Sequence, residues 1–181
     1  RLWAGLAAGL WLATSAGAED RPGDFDYYVL ALSWTPAWCA AEGAARGAPR
    51  CAPGAQHGFT VHGLWPQRDA DWPAGCPAAG RDPDRAETGA MADVFGSGSL
   101  AWYQWKRHGR CSGLDPAAYF ARVRAAWEAV DRPGVLRRVD AVLRVDPDVI
   151  EAAFLEENPD LEPDGVVVTC PDGVVREVQI G

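Results

Sequence analysis

Two short segments of this 181-residue chain carry side chains suited to proton transfer. The first, FTVHGLWPQ at residues 59–67, starts as a β-like run, continues into His62 and places Trp65 three residues later. The second, YQWKRHGRC at residues 103–111, contains His108. Because an imidazole titrates near neutral pH, two of them can act as a general acid and a general base.

A helix is predicted over residues 100–108, with Ser99 as its N-cap. In that helix Gln104, Arg107 and His108 would stand at positions i, i+3 and i+4 and share one face. The face would present an amide, a fixed cation and a titratable imidazole together. The alternative is an ordinary solvated polar face.

These groups match what cleavage of RNA without a metal requires. A base must take the proton of the ribose 2′-OH, and an acid must protonate the departing 5′-oxygen. Positive charge must stabilise the phosphorane transition state, and Arg107 supplies it in a form that binds phosphate oxygens. Trp65 can stack on a base that is splayed out of its strand.

The two segments resemble the active-site segments of the ribonuclease T2 family, whose usual forms are close to F-T-I-H-G-L-W-P and H-E-W-x-K-H-G-T-C. The resemblance covers nearly all of the chain from about Tyr27 to a C-terminal hairpin. It implies that His62 is the general acid of the first step and His108 the base. In the second step, hydrolysis of the 2′,3′-cyclic phosphate, the two would exchange roles. Trp65 would stack on the base 5′ of the cleaved bond.

The chain departs from the usual family pattern at five places. Gln104 stands where the family has Glu, Arg107 where it has Lys, Tyr103 where it often has His, and Arg110 where it has Thr. Gln67 occupies the place of an Asp that often contacts the base, so the base preference is expected to be broader or different. A carboxylate at position 104 could orient the cation or raise the pKa of the neighbouring imidazole, whereas an amide cannot do so by charge. Gln104 and Tyr103 can both donate a hydrogen bond to a phosphoryl oxygen.

Two other functions are considered. A zinc enzyme would use His57, His62, His108 and Cys111 as ligands, but the C-x2-C pairs typical of zinc sites are absent. A T2-like RNA-binding module, weak or inactive because Gln104 replaces the Glu, would bind RNA without cleaving it. We therefore expect an RNA-cleaving enzyme with no metal and no cofactor, and a surface or second-sphere role for His57.

The overall charge limits the kind of partner. The chain has 25 acidic and 17 basic residues, a formal net charge of −8. This argues against broad, non-specific coating of nucleic acid. Basic residues cluster once, in KRHGR at residues 106–110. A small, locally basic site for single-stranded RNA remains compatible with that composition.

Residues 1–18 resemble a secretory signal. Arg1 precedes an apolar run from Leu2 to Ala13 that is too short to span a bilayer, and Ala16-Gly17-Ala18 is a small-x-small cleavage site. Alternatives are a membrane anchor or a buried N-terminal helix. We expect a periplasmic or secreted, monomeric domain at residues 19–181 that lies outside the membrane after cleavage. A domain that continues beyond Gly181 is an alternative.

The five cysteines predict a disulfide framework in an exported protein. They are Cys39, Cys51, Cys76, Cys111 and Cys170. The family resemblance implies the pairs Cys39–Cys51 and Cys76–Cys111. The fifth cysteine would then be free or would pair with a residue beyond Gly181.

The elements that must position these groups are predicted from periodicity and turn residues. Strands are expected at 25–34 and 59–65, loops at 35–58 and 66–84, helices after Asp115-Pro116 and at 134–144 and 147–157, and a hairpin at 165–180 around Pro171-Asp172-Gly173. Strands at both ends with helices between them indicate one α+β domain, with a central, mainly antiparallel sheet flanked by helices.

Overall fold

The computed structural model describes residues 20–55 and 58–181. The predicted signal peptide at 1–18 and His57 lie outside the described residues. The described elements are β1 (Tyr27–Trp34), α1 (Thr35–Trp38), β2 (Phe59–Gln67), α2 (Arg85–Gly89), α3 (Ala92–Phe95), α4 (Gly98–Arg107), α5 (Pro116–Ala129), α6 (Pro147–Glu157), β3 (Val166–Thr169) and β4 (Glu177–Ile180). In these two ranges no helix has the length and apolarity needed to cross a membrane.

The four strands form one antiparallel sheet in the order β2-β1-β4-β3. β1 is a central strand that pairs with β2 on one side and with β4 on the other. Its alternate residues Leu30, Leu32 and Trp34 are buried in the hydrophobic core. α5 packs against β1 and β2, and α6 packs against β3. The predicted α+β fold with an antiparallel sheet and flanking helices is therefore confirmed.

A β-bulge lies at the position of His62. Ala31 pairs with Gly63 and the next residue, Leu32, pairs with Val61, so His62 is the additional residue on β2. A bulge bends its strand and redirects the extra side chain. The alternation of a regular strand therefore does not determine where this imidazole points.

The predicted helix at 134–144 is wrong. A short 3-10 turn covers Gly134–Arg138, and an irregular segment follows it. The carbonyls of that segment bond to other parts of the fold: Ala141 accepts from the Trp34 indole at 3.0 Å, and Leu143 accepts from the Val175 N–H at 3.0 Å. These tertiary bonds take the place of helical ones.

The other two helices after residue 115 are confirmed. Asp115 caps α5 by accepting from the Ala118 N–H at 2.9 Å, and Asp146 caps α6 by accepting from the Asp148 N–H at 3.1 Å. In both helices a proline follows the cap as the first helical residue. This is the position where a missing N–H costs nothing.

The C-terminal hairpin is confirmed with shorter strands than predicted. Val174 and Val175 lie outside the strands, in a seven-residue connection that buries both of them in the core. The connection turns at Asp172, whose φ of 56° lies in the left-handed region. The segment 35–58, predicted as a loop, contains α1 and a helical turn at Cys39–Gly43.

A buried tyrosine joins α5 to the strand that carries His62. The side chain of Tyr119 is fully buried, and its hydroxyl donates to the carbonyl of Leu64 at 2.9 Å. Burial raises the pKa of Tyr119, so the phenol stays protonated and remains a donor. This bond fixes the backbone of β2 two residues after the bulge.

We expect Tyr119→Phe to lower the free energy of unfolding by about 1–3 kcal/mol, because it leaves the buried Leu64 carbonyl without its donor. Urea denaturation measures the effect. Tyr27→Phe is the matched control, since Tyr27 is exposed and its change should stay within about 0.5 kcal/mol. Equal stability of the two variants would contradict the role assigned to the Tyr119 hydroxyl.

Candidate active site

His62 is hydrogen-bonded to a residue from the far end of the chain. Its Nδ1 lies 2.5 Å from Oε2 of Glu177, the first residue of β4. The imidazole is about two-fifths exposed, whereas the carboxylate is 14% exposed. An ionised carboxylate only accepts hydrogen bonds, so Nδ1 carries the proton and Nε2 remains available.

Trp65 contacts both imidazoles of the candidate site. The centroid of its ring lies 5.3 Å from that of His62 and 5.3 Å from that of His108. The indole Nε1 donates to Oε1 of Gln104 at 2.9 Å. Because Gln104 is 1% exposed, this bond links β2 to α4 inside the protein. The two segments picked out in the sequence therefore meet at one indole ring.

The absence of a side chain at Gly63 permits this approach. A Cβ at Gly63 would lie 2.0 Å from Nε1 of Trp65 and 2.4 Å from Oε1 of Gln104. These are the two atoms of the indole–amide hydrogen bond. Glycine is required here because of close packing and not because of backbone conformation.

His108 lies just beyond the end of α4. The helix begins at Gly98 after the N-cap Ser97, whose hydroxyl accepts from the Leu100 N–H at 3.2 Å. The predicted N-cap, Ser99, is thus wrong by two residues, because Ser97 has the extended backbone that a cap needs. The N–H of His108 still bonds to the carbonyl of Gln104 at 2.8 Å, which preserves their i, i+4 relation.

The imidazole of His108 is held in its neutral form. Burial, the positive charge of Arg107 and the charge of His62 lower its pKa from 6.5 to about 4. Its Nδ1 is buried and has no hydrogen-bond partner within residues 20–55 and 58–181. Because protonation of His108 opposes folding, the free energy of unfolding decreases as the pH falls from about 6.5 to about 4.

The remaining predicted site residues lie around this centre. Arg107 is exposed, and Tyr103 is 57% exposed. Gln67 ends β2, on the same strand face as Trp65 two residues before it. The structure therefore brings Trp65, Gln104 and His108 into contact, while the arginine and the tyrosine face the solvent beside them.

A groove of about 680 Å³ opens beside His62. One wall is the segment from Trp38 to Arg50, and the other runs from Gly96 to Tyr103. The guanidinium of Arg50 lies 3.8 Å from the centroid of the Trp38 ring and donates to the carbonyl of Phe95 at 3.0 Å. The groove is thus a built feature, with aromatic and cationic groups in its wall and an imidazole at its edge.

The loop after β2 is tied to the end of α4 by several bonds. Cys76 is bonded to Cys111, and the Gly75 N–H donates to the carbonyl of Arg107 at 2.7 Å. Arg110 donates to both oxygens of Asp82, at 2.8 and 2.7 Å, and this holds the pKa of that carboxyl below its usual range. Arg110, one of the departures from the family pattern, therefore fastens the loop.

Both disulfide bonds implied by the family resemblance are present. Cys39 pairs with Cys51 and Cys76 with Cys111, while Cys170 is a free thiol in the described part of the chain. The zinc alternative loses a ligand, since Cys111 offers no thiolate. Across the described ranges, which omit His57, no three His, Cys, Asp or Glu side chains form a group that could hold a metal ion.

Sequence reasoning missed Glu177 and Asp82. Neither residue belongs to a local motif, and only the fold brings Glu177 to His62 and Asp82 to Arg110. A glutamate at the start of a short strand resembles a solvent-facing residue, so no pattern in the sequence singled it out. Asp82 lies in a proline- and glycine-rich loop where a carboxylate is common.

The sequence is similar to that of known ribonucleases. The model of the ribonuclease T2 family matches residues 25–142. Among curated relatives, a ribonuclease of Aeromonas hydrophila is 38% identical over 110 residues, covering 61% of this chain and 48% of the relative. Ribonuclease I of Escherichia coli K12 is 32% identical over 158 residues, covering 64% and 59% respectively. The chain thus spans about half the length of the curated relatives it matches.

A solved structure shares the fold. The ribonuclease-related protein from Calystegia sepium superposes with a TM-score of 0.62 at 24% identity, covering 86% of this chain and 84% of that one. At this identity the likeness concerns the fold alone. Glu177 lies beyond the residues that the family model matches.

We expect Gly63→Ala to lower the free energy of unfolding by about 1–3 kcal/mol, because the new methyl group displaces Trp65 or Gln104. The change should also alter the near-UV circular dichroism that reports on tryptophan packing. Gly80→Ala is the matched control, since a Cβ there meets nothing within 4 Å. A Gly63→Ala variant as stable as this control would contradict the close packing described.

Proposed function

Because this chain belongs to the ribonuclease T2 family, we propose that it is a metal-independent endoribonuclease acting on single-stranded RNA. The reaction is a transphosphorylation through a 2′,3′-cyclic phosphate to 3′-phosphate ends. The observation that carries the proposal is that two imidazoles in different settings contact one indole, one neutral and the other bonded to a carboxylate.

His108 is the proposed base of the first step. With a pKa of about 4, it is neutral at pH 5–8 and can accept the proton of the ribose 2′-OH. The 2′-oxygen then attacks phosphorus and forms a new P–O bond. Burial of the imidazole thus favours the protonation state that a base needs.

His62 is the proposed acid of that step. It gives its Nε2 proton to the 5′-oxygen as the P–O5′ bond breaks, leaving a 5′-OH and a 2′,3′-cyclic phosphate. In the second step water attacks the cyclic phosphate, His62 takes the proton of that water, and His108 protonates the departing 2′-oxygen. The proton positions are then restored for another cycle.

The surroundings suit a phosphodiester and its flanking nucleotides. Arg107 is the proposed source of positive charge for the phosphorane, and Tyr103 and the Gln104 amide are proposed donors toward its oxygens. The groove beside His62 would receive the nucleotide whose 5′-oxygen departs, since that imidazole protonates it. Trp65 and Gln67 would contact the base on the other side of the cleaved bond.

Gln104 has a structural role in the candidate site. Its amide oxygen accepts from Trp65 and so fixes the indole against both histidines. A carboxylate oxygen at position 104 can accept the same bond, so this contact fixes the indole without distinguishing Gln from Glu. The contact does not favour a module that only binds RNA over an enzyme.

We further propose that the protein is exported, to the periplasm or outside the cell, and acts as a monomer. Two disulfide bonds support an oxidising compartment. We also propose that residues 1–18 are a signal peptide and that the activity needs no metal.

We expect the purified protein to cleave RNA in EDTA and to release ends that carry 2′,3′-cyclic phosphate and later 3′-phosphate. His62→Ala and His108→Ala should each lower the rate by about 10²–10⁴-fold, because each removes one proton-transfer group. End analysis of a labelled oligonucleotide measures the products. The matched control is the same oligonucleotide with a single 2′-deoxy residue, which should stay uncut at that position.

Three results would count against this proposal. RNA that stays intact in the presence of bound protein would indicate a binding module. Activity that EDTA abolishes would indicate a metal enzyme. Cleavage at the 2′-deoxy position would exclude the 2′-OH as the nucleophile.

We expect kcat/KM to stay level on the acid side until about pH 4 and then to fall tenfold per pH unit, as His108 becomes protonated. Gln104→Glu places a carboxylate beside this imidazole, and the opposite charge should raise the pKa of His108 by about 1 unit or more. The acid limb would move to higher pH by the same amount. NMR titration of His108 in both proteins provides the second measurement; a limb that stays near pH 4 in Gln104→Glu would contradict the coupling.

A further inference from the structure

We propose that Glu177 is the positioning residue of His62: its carboxylate accepts the Nδ1–H and thereby presents Nε2 to the departing 5′-oxygen. The inference rests on the function proposed above and adds a residue from the opposite end of the chain. Glu177 touches no reacting atom and acts only through the imidazole.

The first support is the geometry of the pair. The two atoms Nδ1 and Oε2 lie 2.5 Å apart, closer than in an ordinary N–H···O hydrogen bond, so the ring and the carboxylate are in direct contact. Because the carboxylate has no proton to donate, the bond places the imidazole proton on Nδ1. The unshared site of the ring is then Nε2, on the edge that is directed away from Glu177. His62 also lines the groove that would hold the leaving nucleotide.

The second support is that the carboxylate itself is held in place. Its other oxygen, Oε1, accepts from the side-chain amide of Gln179 at 2.8 Å. Glu177 pairs with Ser33 of β1 on one side and with Thr169 of β3 on the other, so its backbone lies within the sheet. A group fixed at both oxygens and along its backbone can fix the ring that it contacts.

The third support is the position of His62 in the strand. As the extra residue of a bulge, it lacks a cross-strand partner at its own register position. The strand alone therefore leaves its ring orientation less constrained than that of a paired residue. The bond to Glu177 supplies that constraint from two strands away, across β1.

The two histidines consequently differ in how they are held. Gln104, on the side of His108, gives its oxygen to Trp65 and not to an imidazole. In the ranges that the structure describes, Glu177 supplies the carboxylate that bonds to an imidazole of this site. Position 104, where the family pattern has a carboxylate, is an amide here, and the Glu177 carboxylate bonds to the other histidine.

The competing explanation is that the pair merely joins β2 to β4. Both explanations predict a loss of stability when Glu177 is changed. Only positioning of a general acid predicts a loss that depends on the leaving group, because a stable leaving anion needs no proton. The substrate comparison therefore separates them.

The experiment compares Glu177→Gln with the wild type on two substrates with the same nucleoside. One is a dinucleoside phosphate, whose leaving group is a 5′-alkoxide, and the other is the nucleoside 3′-(4-nitrophenyl) phosphate. We expect kcat to fall about 10- to 100-fold on the first, as a misplaced acid predicts. On the aryl ester it should fall less than about 3-fold. His62→Ala should show the same pattern with a larger loss.

Glu151→Gln is the matched control for removal of a hydrogen-bonded carboxylate. Glu151 lies on α6 and accepts from the backbone N–H of Val168 at 2.9 Å, so its change should lower both rates little and equally. Equal losses on the two substrates in Glu177→Gln would overturn the proposal, as would no loss on either.

A measurement on the wild type keeps the inference testable if Glu177→Gln fails to fold. The ¹⁵N chemical shifts of neutral His62 report which ring nitrogen carries the proton, and we expect Nδ1. Protonation at Nε2 would overturn the proposal. A wild-type protein that cleaves neither substrate would instead reject the proposed function, while the tautomer would still report on the bond to Glu177.

Discussion

The hydrogen bond from the Trp65 indole to the buried amide of Gln104 is the contact on which the site depends. It joins the end of β2 to the middle of α4, and both imidazoles contact the same indole ring. A buried polar group without a partner destabilises the protein, so removal of the indole donor or of the acceptor oxygen at position 104 lowers stability. The small size of Gly63 is a direct consequence, because a methyl group would occupy the place of the bond.

Other bonds stabilise the two elements that this contact connects. The Tyr119 hydroxyl holds β2 through the Leu64 carbonyl, and the Cys76–Cys111 bond holds the loop after β2 to the residues after α4. The bidentate pair of Arg110 and Asp82 acts on the same loop. Placement matters because about 1 Å of misalignment of a reacting group can lower a rate by about 100-fold.

The two histidines have the same side chain, so their surroundings decide which one is suited to act as base and which as acid. His108 is partly buried and lies beside a positive charge, and together these lower its pKa to about 4 and keep it neutral. His62 is about two-fifths exposed, bonds to a carboxylate and lines a groove. One site thus holds two imidazoles under different constraints, which is the arrangement that acid–base chemistry on a phosphodiester needs.

The sequence by itself determined the strands, the two proline-opened helices and the segments that carry the chemistry, because these depend on local periodicity, caps and residue type. It also indicated the family and, through it, both disulfide pairs. The failed helix at 134–144 shows the limit, since its carbonyls bond to Trp34 and Val175, which are distant in sequence. Only the tertiary structure decided that His62 lies on a bulge and bonds to Glu177, and that Gln104 faces Trp65. These contacts join residues 39 and 115 positions apart, and no local pattern encodes a distance that the packing of sheet and helices creates.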